Sequence, residues 1–456
     1  MTLPTRHRTL LALALPMILA NVSQPILGLV DTAVLGHLGD AQFLAGTAVG
    51  AFLIAQIFWL CGFMRQSMTG LSAQQKGARE AAKASQGEWD DLARGLLFAF
   101  AVGILLAICH PPLLQLMQHI TDLPTLAQSS LSEYFVIRIW NAPIALANLV
   151  VIGYLVGQQQ TRAVMVIQVG INVLNIILNI VFVFGFDLGV NGVAIATVVA
   201  EWCMLLASLY CIANLHLKDN TARLSSDWFT LSAFRRLLGL NRDLFIRALM
   251  LQACLAFLTY QGARYGVEAA AVNAILMQFF VLIALGLDGI AYAIEAMIGE
   301  REGAKNRNGL WEDIGVSLIW SNIFGVAITL VMAQGYPWFV SLLTNQPLVI
   351  VAAQPYYWIM VALPFLAHWC YCLDGIYIGL TRGDIMRNSM FISALFGFFG
   401  LYWLMQLLSL GAGNMALWIA LLGLQVTRGT TLGGHLLSMY YHNQSNRLKR
   451  DANMPK

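Results

Sequence analysis

Long apolar runs separated by short polar links make up most of the chain. Each run holds about 20 to 30 residues, enough for a helix rising roughly 1.5 Å per residue to cross a hydrocarbon core of about 30 Å. The pattern therefore predicts twelve membrane-spanning helices in two sets of six. The first six runs cover residues 10–36, 43–71, 95–117, 131–157, 163–186 and 190–213. The second six cover residues 243–262, 268–298, 311–334, 353–380, 389–409 and 413–436.

The composition supports this interpretation. Hydrophobic residues make up 59% of the 456 positions and charged residues 11%, whereas soluble domains carry about 25% charged residues. The predicted fold class is an all-α integral membrane protein. Most of the 26 Lys and Arg residues lie in the two tails or in the links after even-numbered helices. Because basic loops stay on the cytoplasmic side, both termini are predicted to be cytoplasmic.

The two halves of the chain repeat each other. The segment GLSAQQKGARE at 70–80 is similar to AMIGEREGAKN at 296–306, and each follows the second helix of its set. Six helices are an even number, so the two repeats have the same orientation and are related by a pseudo-two-fold axis along the membrane normal. The predicted domains are an N-terminal lobe at 1–215, a cytoplasmic linker at 216–240 and a C-terminal lobe at 241–456. Two facing bundles that alternate access to a cavity are typical of a secondary transporter.

The first helix carries an unusual polar stripe. Asn21, Gln24 and Asp31 fall on one face at a 3.6-residue period, inside an otherwise apolar span. An ionisable group there costs roughly 2.5 to 3.5 kcal/mol, so the stripe is expected to face protein or a water-filled cavity. Pro16 and Pro25 each remove a backbone hydrogen bond and give two places where the helix can bend. A polar patch that only holds helices together is the alternative.

Three more acids lie inside spans of the second half, namely Asp288, Glu295 and Asp374. Two interpretations stay open for them. The acids either take part in ion coupling or form structural ion pairs with an arginine, the candidates being Arg65, Arg138 and Arg382.

Several stretches, in this order along nearly the whole chain, resemble the multidrug and toxic compound extrusion (MATE) transporters, most closely their DinF branch. They are LALPMILANVSQPILGLVDTAVLGHLG, MTGLSAQQKGA, LNRDLFIRALMLQ, LDGIAYAIEA and LDGIYIGLTRGDIMRNSM. The resemblance implies cation-coupled antiport that exports amphipathic, often cationic compounds through a cavity in the N-terminal lobe. It also implies a multi-pass protein of the bacterial inner membrane.

The resemblance also implies roles for single residues. Asp31 is the expected coupling acid, with Asp288, Glu295 and Asp374 as secondary candidates. The expected substrate cavity is formed by Gln24, Tyr134, Asn148, Asn175, Asn179 and Thr197. The family's bending first helix resembles the pattern at Pro16 and Pro25. One departure stands out, because many relatives carry a second acid where this chain has Asn179, so Asp31 is expected to carry the charge of that lobe alone.

Two functions other than antiport are compatible with a polytopic membrane protein. A flippase for lipids or lipid-linked oligosaccharides on a related fold is the alternative, although such a cavity is expected to be more basic. An enzyme is not expected, because no Lys precedes Ser or Thr as a P-loop requires, and no H-E-x-x-H motif occurs. The expected coupling ion is the proton, with sodium as the alternative. No metal, cofactor or nucleic acid is expected, and the chain is predicted to work as a monomer with small molecules and the bilayer as partners.

Overall fold

The computed structural model describes residues 3–36, 41–82, 89–121, 123–217, 228–408 and 413–452, and these residues form helices and short links without a strand. The helices of the first half are α1 Leu3–Gly36, α2 Ala41–Leu60, α3 Phe63–Ala82, α4 Asp90–Ile108, α5 His110–Thr121, α6 Thr125–Trp140, α7 Ala142–Gly157, α8 Thr161–Ile180 and α9 Gly189–Leu217. Those of the second half are α10 Leu231–Ala263, α11 Val267–Gly303, α12 Arg307–Leu343, α13 Pro347–Ala353, α14 Tyr357–Gly379, α15 Gly383–Ile392, α16 Leu401–Leu407 and α17 Asn414–Ala452.

Helices occupy every predicted span. Among the described residues, nine helical segments are long and apolar enough to cross a membrane, and the bent pair α6 and α7 gives a tenth. The first and last predicted spans correspond to the 34-residue α1 and the 39-residue α17. The prediction of an all-α membrane protein with helices at these twelve positions is confirmed.

Several predicted spans are divided between two helices. The run 131–157 is divided between α6 and α7, which meet at Asn141 with a bend of 52°. Pro143 occupies the first turn of α7, where its missing N–H is tolerated, whereas within a continuous helix it would break the hydrogen-bond ladder. The run 95–117 is likewise divided at Cys109 between α4 and α5. The bend and the break therefore correct the simple picture of one helix per run.

The fifth and eleventh spans each contain a π-helical segment. Val181–Gly185 continues α8, and Ser393–Gly400 joins α15 to α16. Such segments widen the helix by one residue per turn and often occur beside functional side chains. The first of them begins two residues after Asn179.

Contacts divide the chain into two compact units that do not follow the sequence strictly. Unit 1 contains Met1–Phe245, Asp288–Ile314 and Ile378–Thr381. Unit 2 contains Ile246–Leu287, Gly315–Tyr377 and Arg382–Lys456. Of the predicted linker, residues 218–227 lie outside the described residues, and residues 231–240 are the start of α10. The boundaries 1–215, 216–240 and 241–456 stay a prediction.

In unit 1, α1 packs against α8, α2 against α6 and α3 against α7. The main chains of α3 and α11 also approach closely at two glycines. A β-carbon at Gly303 would overlap the carbonyl oxygen of Gln74, and one at Gly77 would overlap the carbonyl oxygen of Glu300. These glycines lie in the two repeated segments, so the repeat supplies the small residues that let the helices touch.

The beginning of α1 is fixed by charges. Arg6, 5% exposed, contacts the fully buried Asp313 of α12 and lies 2.5 Å from Glu312. Arg301 at the end of α11 donates a bond of 2.7 Å to Asp313. These ion pairs hold one end of the helix that carries Asp31.

Unit 2 has a large apolar core that contains a buried network of polar side chains. Residues of α10, α11, α12, α14 and α17 contribute to the core, including the fully buried Trp418. Its indole N–H donates to Asn273 Oδ1 at 2.7 Å, while Asn273 and Asn414 exchange bonds of 2.7 and 2.8 Å. Asn414 also donates to the Tyr356 hydroxyl at 2.7 Å. Polar groups in such a core are stable only when they are bonded in this way.

Candidate ion-coupling and substrate site

Asp31 is linked to a chain of polar side chains that crosses unit 1. Asn179 Nδ2 donates to Asp31 Oδ1 at 2.6 Å and to Asn175 Oδ1 at 2.9 Å. Asn175 Nδ2 donates to the Thr197 hydroxyl at 3.3 Å. The two asparagines share one face of α8 because they are four residues apart. The structure thus brings together four of the predicted site residues, from α1, α8 and α9.

The surroundings of this chain are apolar. Val34 and Leu35, which follow Asp31 on α1, are 6% and 4% exposed and form a core cluster with Val183 and Val193. Asn179 is fully buried, whereas Asp31 is partly exposed. Among the described residues, the hydrogen-bond donor to the Asp31 carboxyl is a neutral amide. This carboxyl can therefore gain or lose a proton without breaking a direct ion pair, as intramembrane acids of proton relays do.

A second cluster in unit 1 was missed by the sequence analysis. Arg138 of α6 donates two bonds, of 2.9 and 2.8 Å, to the two carboxylate oxygens of Glu201 on α9. Asn141 Nδ2 donates a third bond to this carboxylate at 2.5 Å. Asn148 Nδ2 donates to the backbone carbonyl of Glu201 at 2.8 Å, and the buried Tyr134 interacts with Arg138 from one turn earlier on α6. Two predicted cavity residues, Tyr134 and Asn148, thus belong to this cluster.

A sequence signal for Glu201 did exist. It is an acid inside the apolar run 190–213 and stands one helical turn after Thr197. An ionisable residue in a span is a functional candidate by default. Arg138 was considered as a partner for acids of the second half, but in the structure it pairs with Glu201.

The polar stripe of α1 faces more than one neighbour. Asn21, 4% exposed, interacts with Tyr292 of α11, whereas Asp31 is hydrogen-bonded to Asn179 of α8. Gln24 lies on an exposed part of α1. The helix runs without interruption through Pro16 and Pro25, so bending at these residues stays a prediction.

The acids of α11 form their own cluster in unit 1. Arg65 of α3 donates to Glu295 at 3.1 Å and places its guanidinium 3.9 Å from the centre of the Tyr292 ring. Asp288 interacts electrostatically with the same arginine. A buried ion pair with an aromatic contact is a structural arrangement in which each charge is compensated.

Asp374 is paired in unit 2. It contacts Arg247 of α10 and Arg428 of α17, and all three side chains are buried. Arg382, considered earlier as a partner, instead lies 3.2 Å from Asp384 in an exposed pair. The geometry favours the structural interpretation for Glu295 and Asp374, whereas the Asp31 carboxyl accepts from the neutral amide of Asn179.

Comparison with known proteins decides the family. A family model described as MatE matches residues 16–181 and 244–403, once in each half, in agreement with the internal repeat. The chain is also 39% identical over 433 residues to the Escherichia coli DNA damage-inducible protein F, covering 94% of this chain and 92% of that protein. The chain belongs to the MATE family. Membership in this family confirms the prediction of a multi-pass membrane protein. It also confirms that the chain belongs to a family of transporters and not of enzymes.

More distant relatives agree with this family. The multidrug resistance protein MdtK of Yersinia enterocolitica is 25% identical, over 88% of this chain and 86% of that protein. A solved outward-facing multidrug resistance MATE family transporter of the MOP superfamily gives a TM-score of 0.83 at 18% identity, covering 96% of both chains. A MOP superfamily transporter of Pyrococcus furiosus gives 0.82 at 18% identity, covering 95% of this chain and 96% of that one. The MATE fold of twelve helices in two lobes is thereby shown for this chain.

Proposed function

We propose that the chain exports amphipathic, cationic small molecules across the bacterial inner membrane by antiport with protons. It does so as a monomer, through alternating access of two lobes, with both termini in the cytoplasm. The observation that carries this proposal is the Asp31 carboxyl, partly exposed in an apolar part of unit 1 and bonded to the neutral Asn179 at 2.6 Å. The relatives named as multidrug resistance proteins support the class of substrate.

Asp31 provides the exchange of proton for substrate. When ionised, the carboxylate attracts a cationic compound. This attraction is stronger in the low-dielectric surroundings of Asp31 than at a water-exposed surface. When protonated, the carboxyl loses that attraction and the compound is released. Binding of proton and substrate is then mutually exclusive, and this exclusion is the condition for antiport.

The polar chain behind Asp31 keeps the side chain in place in both states. The Asn179 amide can donate to the ionised form or accept from the protonated form, and Asn175 holds this amide by accepting from its Nδ2. The π-helical segment after Asn179, together with Pro16 and Pro25 in α1, provides backbone that can adjust as the hydrogen bonding changes. A shift of the lobes from 1:99 to 99:1 needs about 5.5 kcal/mol of differential binding. Because proton and substrate exclude each other, each of them drives the shift in its own half of the cycle.

Inverted membrane vesicles test this function. A fluorescent cationic dye is added outside vesicles with an acidic lumen, with a sodium-rich lumen, or with neither gradient. We expect the dye to accumulate only when the lumen is acidic. Accumulation driven by sodium alone would assign coupling to sodium. Transport of a labelled phospholipid, with no dye transport under either gradient, would overturn the proposal in favour of a flippase.

A further inference from the structure

Arg138 and Glu201 form an ion pair that the export mechanism above does not use. Arg138 is 5% exposed and its guanidinium binds both carboxylate oxygens of Glu201, at 2.9 and 2.8 Å. Asn141 adds a bond of 2.5 Å to the carboxylate. A bidentate pair of this kind fixes the direction of both side chains as well as their charges.

The charge of Arg138 also reaches Asp31. Tyr134, one turn earlier on α6, packs in one buried cluster with Val34 and Leu35, which follow Asp31 on α1. Arg138 also interacts electrostatically with the Asp31 carboxyl. Among the described residues, the titratable side chains that interact with Arg138 include Asp31 from α1, Tyr134 from α6 and Glu201 from α9. The neighbouring α2 and α7 contain no Asp, Glu, His, Lys or Arg, and α8 contributes amides.

A count of charges shows what the pair does to Asp31. While Arg138 and Glu201 neutralise each other, the net charge of the cluster equals the charge of Asp31. The cluster is therefore singly negative when Asp31 is ionised and neutral when it is protonated. Without the Glu201 charge, Arg138 would compensate Asp31, and the ionised cluster would no longer attract a cation. Without Arg138, two carboxylates would share one low-dielectric region and hold protons more tightly.

We propose that Glu201 is a specificity-determining residue, with Arg138 as its positioning partner. The Glu201 carboxylate binds the guanidinium of Arg138 and neutralises its positive charge. The negative charge of ionised Asp31 therefore remains available to bind a monocationic substrate or a proton. This inference rests on the function proposed above. It adds that the net charge of the cluster of Asp31, Arg138 and Glu201 determines the substrate charge that the site binds.

A pair that only holds α6 to α9 would behave differently. Either single replacement would weaken the fold, and replacing both residues would not restore any property of the site. A pair that sets the charge predicts opposite effects for the two single replacements. It also predicts that the neutral double replacement restores the original behaviour, because the net charge is again that of Asp31 alone.

The test measures the affinity of a monocationic fluorescent dye for the purified full chain in lipid nanodiscs as a function of pH. For the natural sequence, affinity falls as the pH falls and Asp31 takes up a proton. We expect Glu201→Gln to weaken binding about tenfold at high pH and to move the midpoint about one pH unit toward acid. Arg138→Gln should move the midpoint about one unit toward alkaline pH. The double variant Arg138→Gln with Glu201→Gln should return to the original midpoint.

Conservative replacement and transport provide the controls. Glu201→Asp keeps the negative charge and should keep the midpoint of the natural sequence. If a single variant fails to fold, Glu201→Asp and the double variant still test whether the pair sets the charge of the cluster. Equal midpoints in all variants, shifts in the same direction, or a double variant displaced as far as either single one would overturn the proposal. Vesicles of the natural sequence separate the two questions. Absent dye transport there refutes the proposed function, whereas normal transport with unshifted midpoints refutes only the role of Glu201.

Discussion

Replacing Asn179 by aspartate puts a second carboxylate next to Asp31. The Asn179 amide now lies 2.6 Å from Asp31 Oδ1, so the two acids of Asn179→Asp would face each other at about 3 Å, the ordinary length of a hydrogen bond. Two unit charges at that separation repel by roughly 5 kcal/mol at an effective dielectric constant of about 20. The pair therefore shares one proton at neutral pH and titrates as a unit.

This arrangement makes a specific prediction for transport. We expect Asn179→Asp to insert normally, because the shared proton leaves the same net charge as a single ionised Asp31. Loss of that proton requires a more alkaline medium. A repulsion of roughly 5 kcal/mol corresponds to a shift of up to three or four pH units, of which at least one should be seen. The assay is dye accumulation in inverted vesicles at a series of outside pH values with a constant pH difference across the membrane.

A matched control lies on the same helix. Asn172 donates to the Ser23 hydroxyl at 2.8 Å and stands two turns before Asn179, about 10 Å away along α8. Asn172→Asp adds the same charge at that greater distance and should shift the profile much less. A pH profile of Asn179→Asp that coincides with the original, or complete loss of transport at every pH despite normal expression, would refute the reasoning.

Three further predictions concern topology and packing. A cysteine introduced at Gln118 should react with an impermeant reagent outside intact cells while one at Asn306 should not, and the opposite pattern would overturn the orientation. Gly303→Ala should cost about 1 to 3 kcal/mol of stability, because its β-carbon overlaps a carbonyl oxygen, whereas Gly170→Ala on an open helix face should melt at the original temperature in detergent. Arg65→Gln leaves a buried carboxylate without its cation and should lower the free energy of unfolding by about 3 to 5 kcal/mol, and an unchanged denaturant midpoint would contradict that ion pair.

The spans were predictable because backbone groups inside a bilayer must be bonded within a helix. A long apolar run therefore has one available structure, and hydropathy alone locates it. The bend between α6 and α7 was not predicted, because the apolar run continues on both sides of Asn141. Pro143 was the available signal, yet a proline in a membrane helix can also remain within a continuous helix, as Pro16 and Pro25 do in α1.

The candidate site was predictable only in part. Helical spacing placed Asn175 and Asn179 on one face, and the family resemblance brought that face to Asp31. The partner of Arg138 did not follow from either, because periodicity says which side of a helix is polar and not which helix lies opposite. The same limit applies to Asp374, whose partners Arg247 and Arg428 come from helices far apart in the sequence.

Coupling through Asp31 is tested most directly by proton movement in proteoliposomes. Asp31→Asn keeps the volume of the side chain and removes its ability to exchange a proton. Asp187→Asn is the matched control, because Asp187 is exposed and has a φ of 54°, a conformation that asparagine adopts readily. A pH-sensitive dye inside the vesicles reports protons that move when a cationic substrate is added outside. We predict substrate-driven proton movement for the original chain and for Asp187→Asn, and none for Asp31→Asn. Proton movement by Asp31→Asn at the original rate would contradict coupling at Asp31 and would move it to Asp288, Glu295 or Asp374.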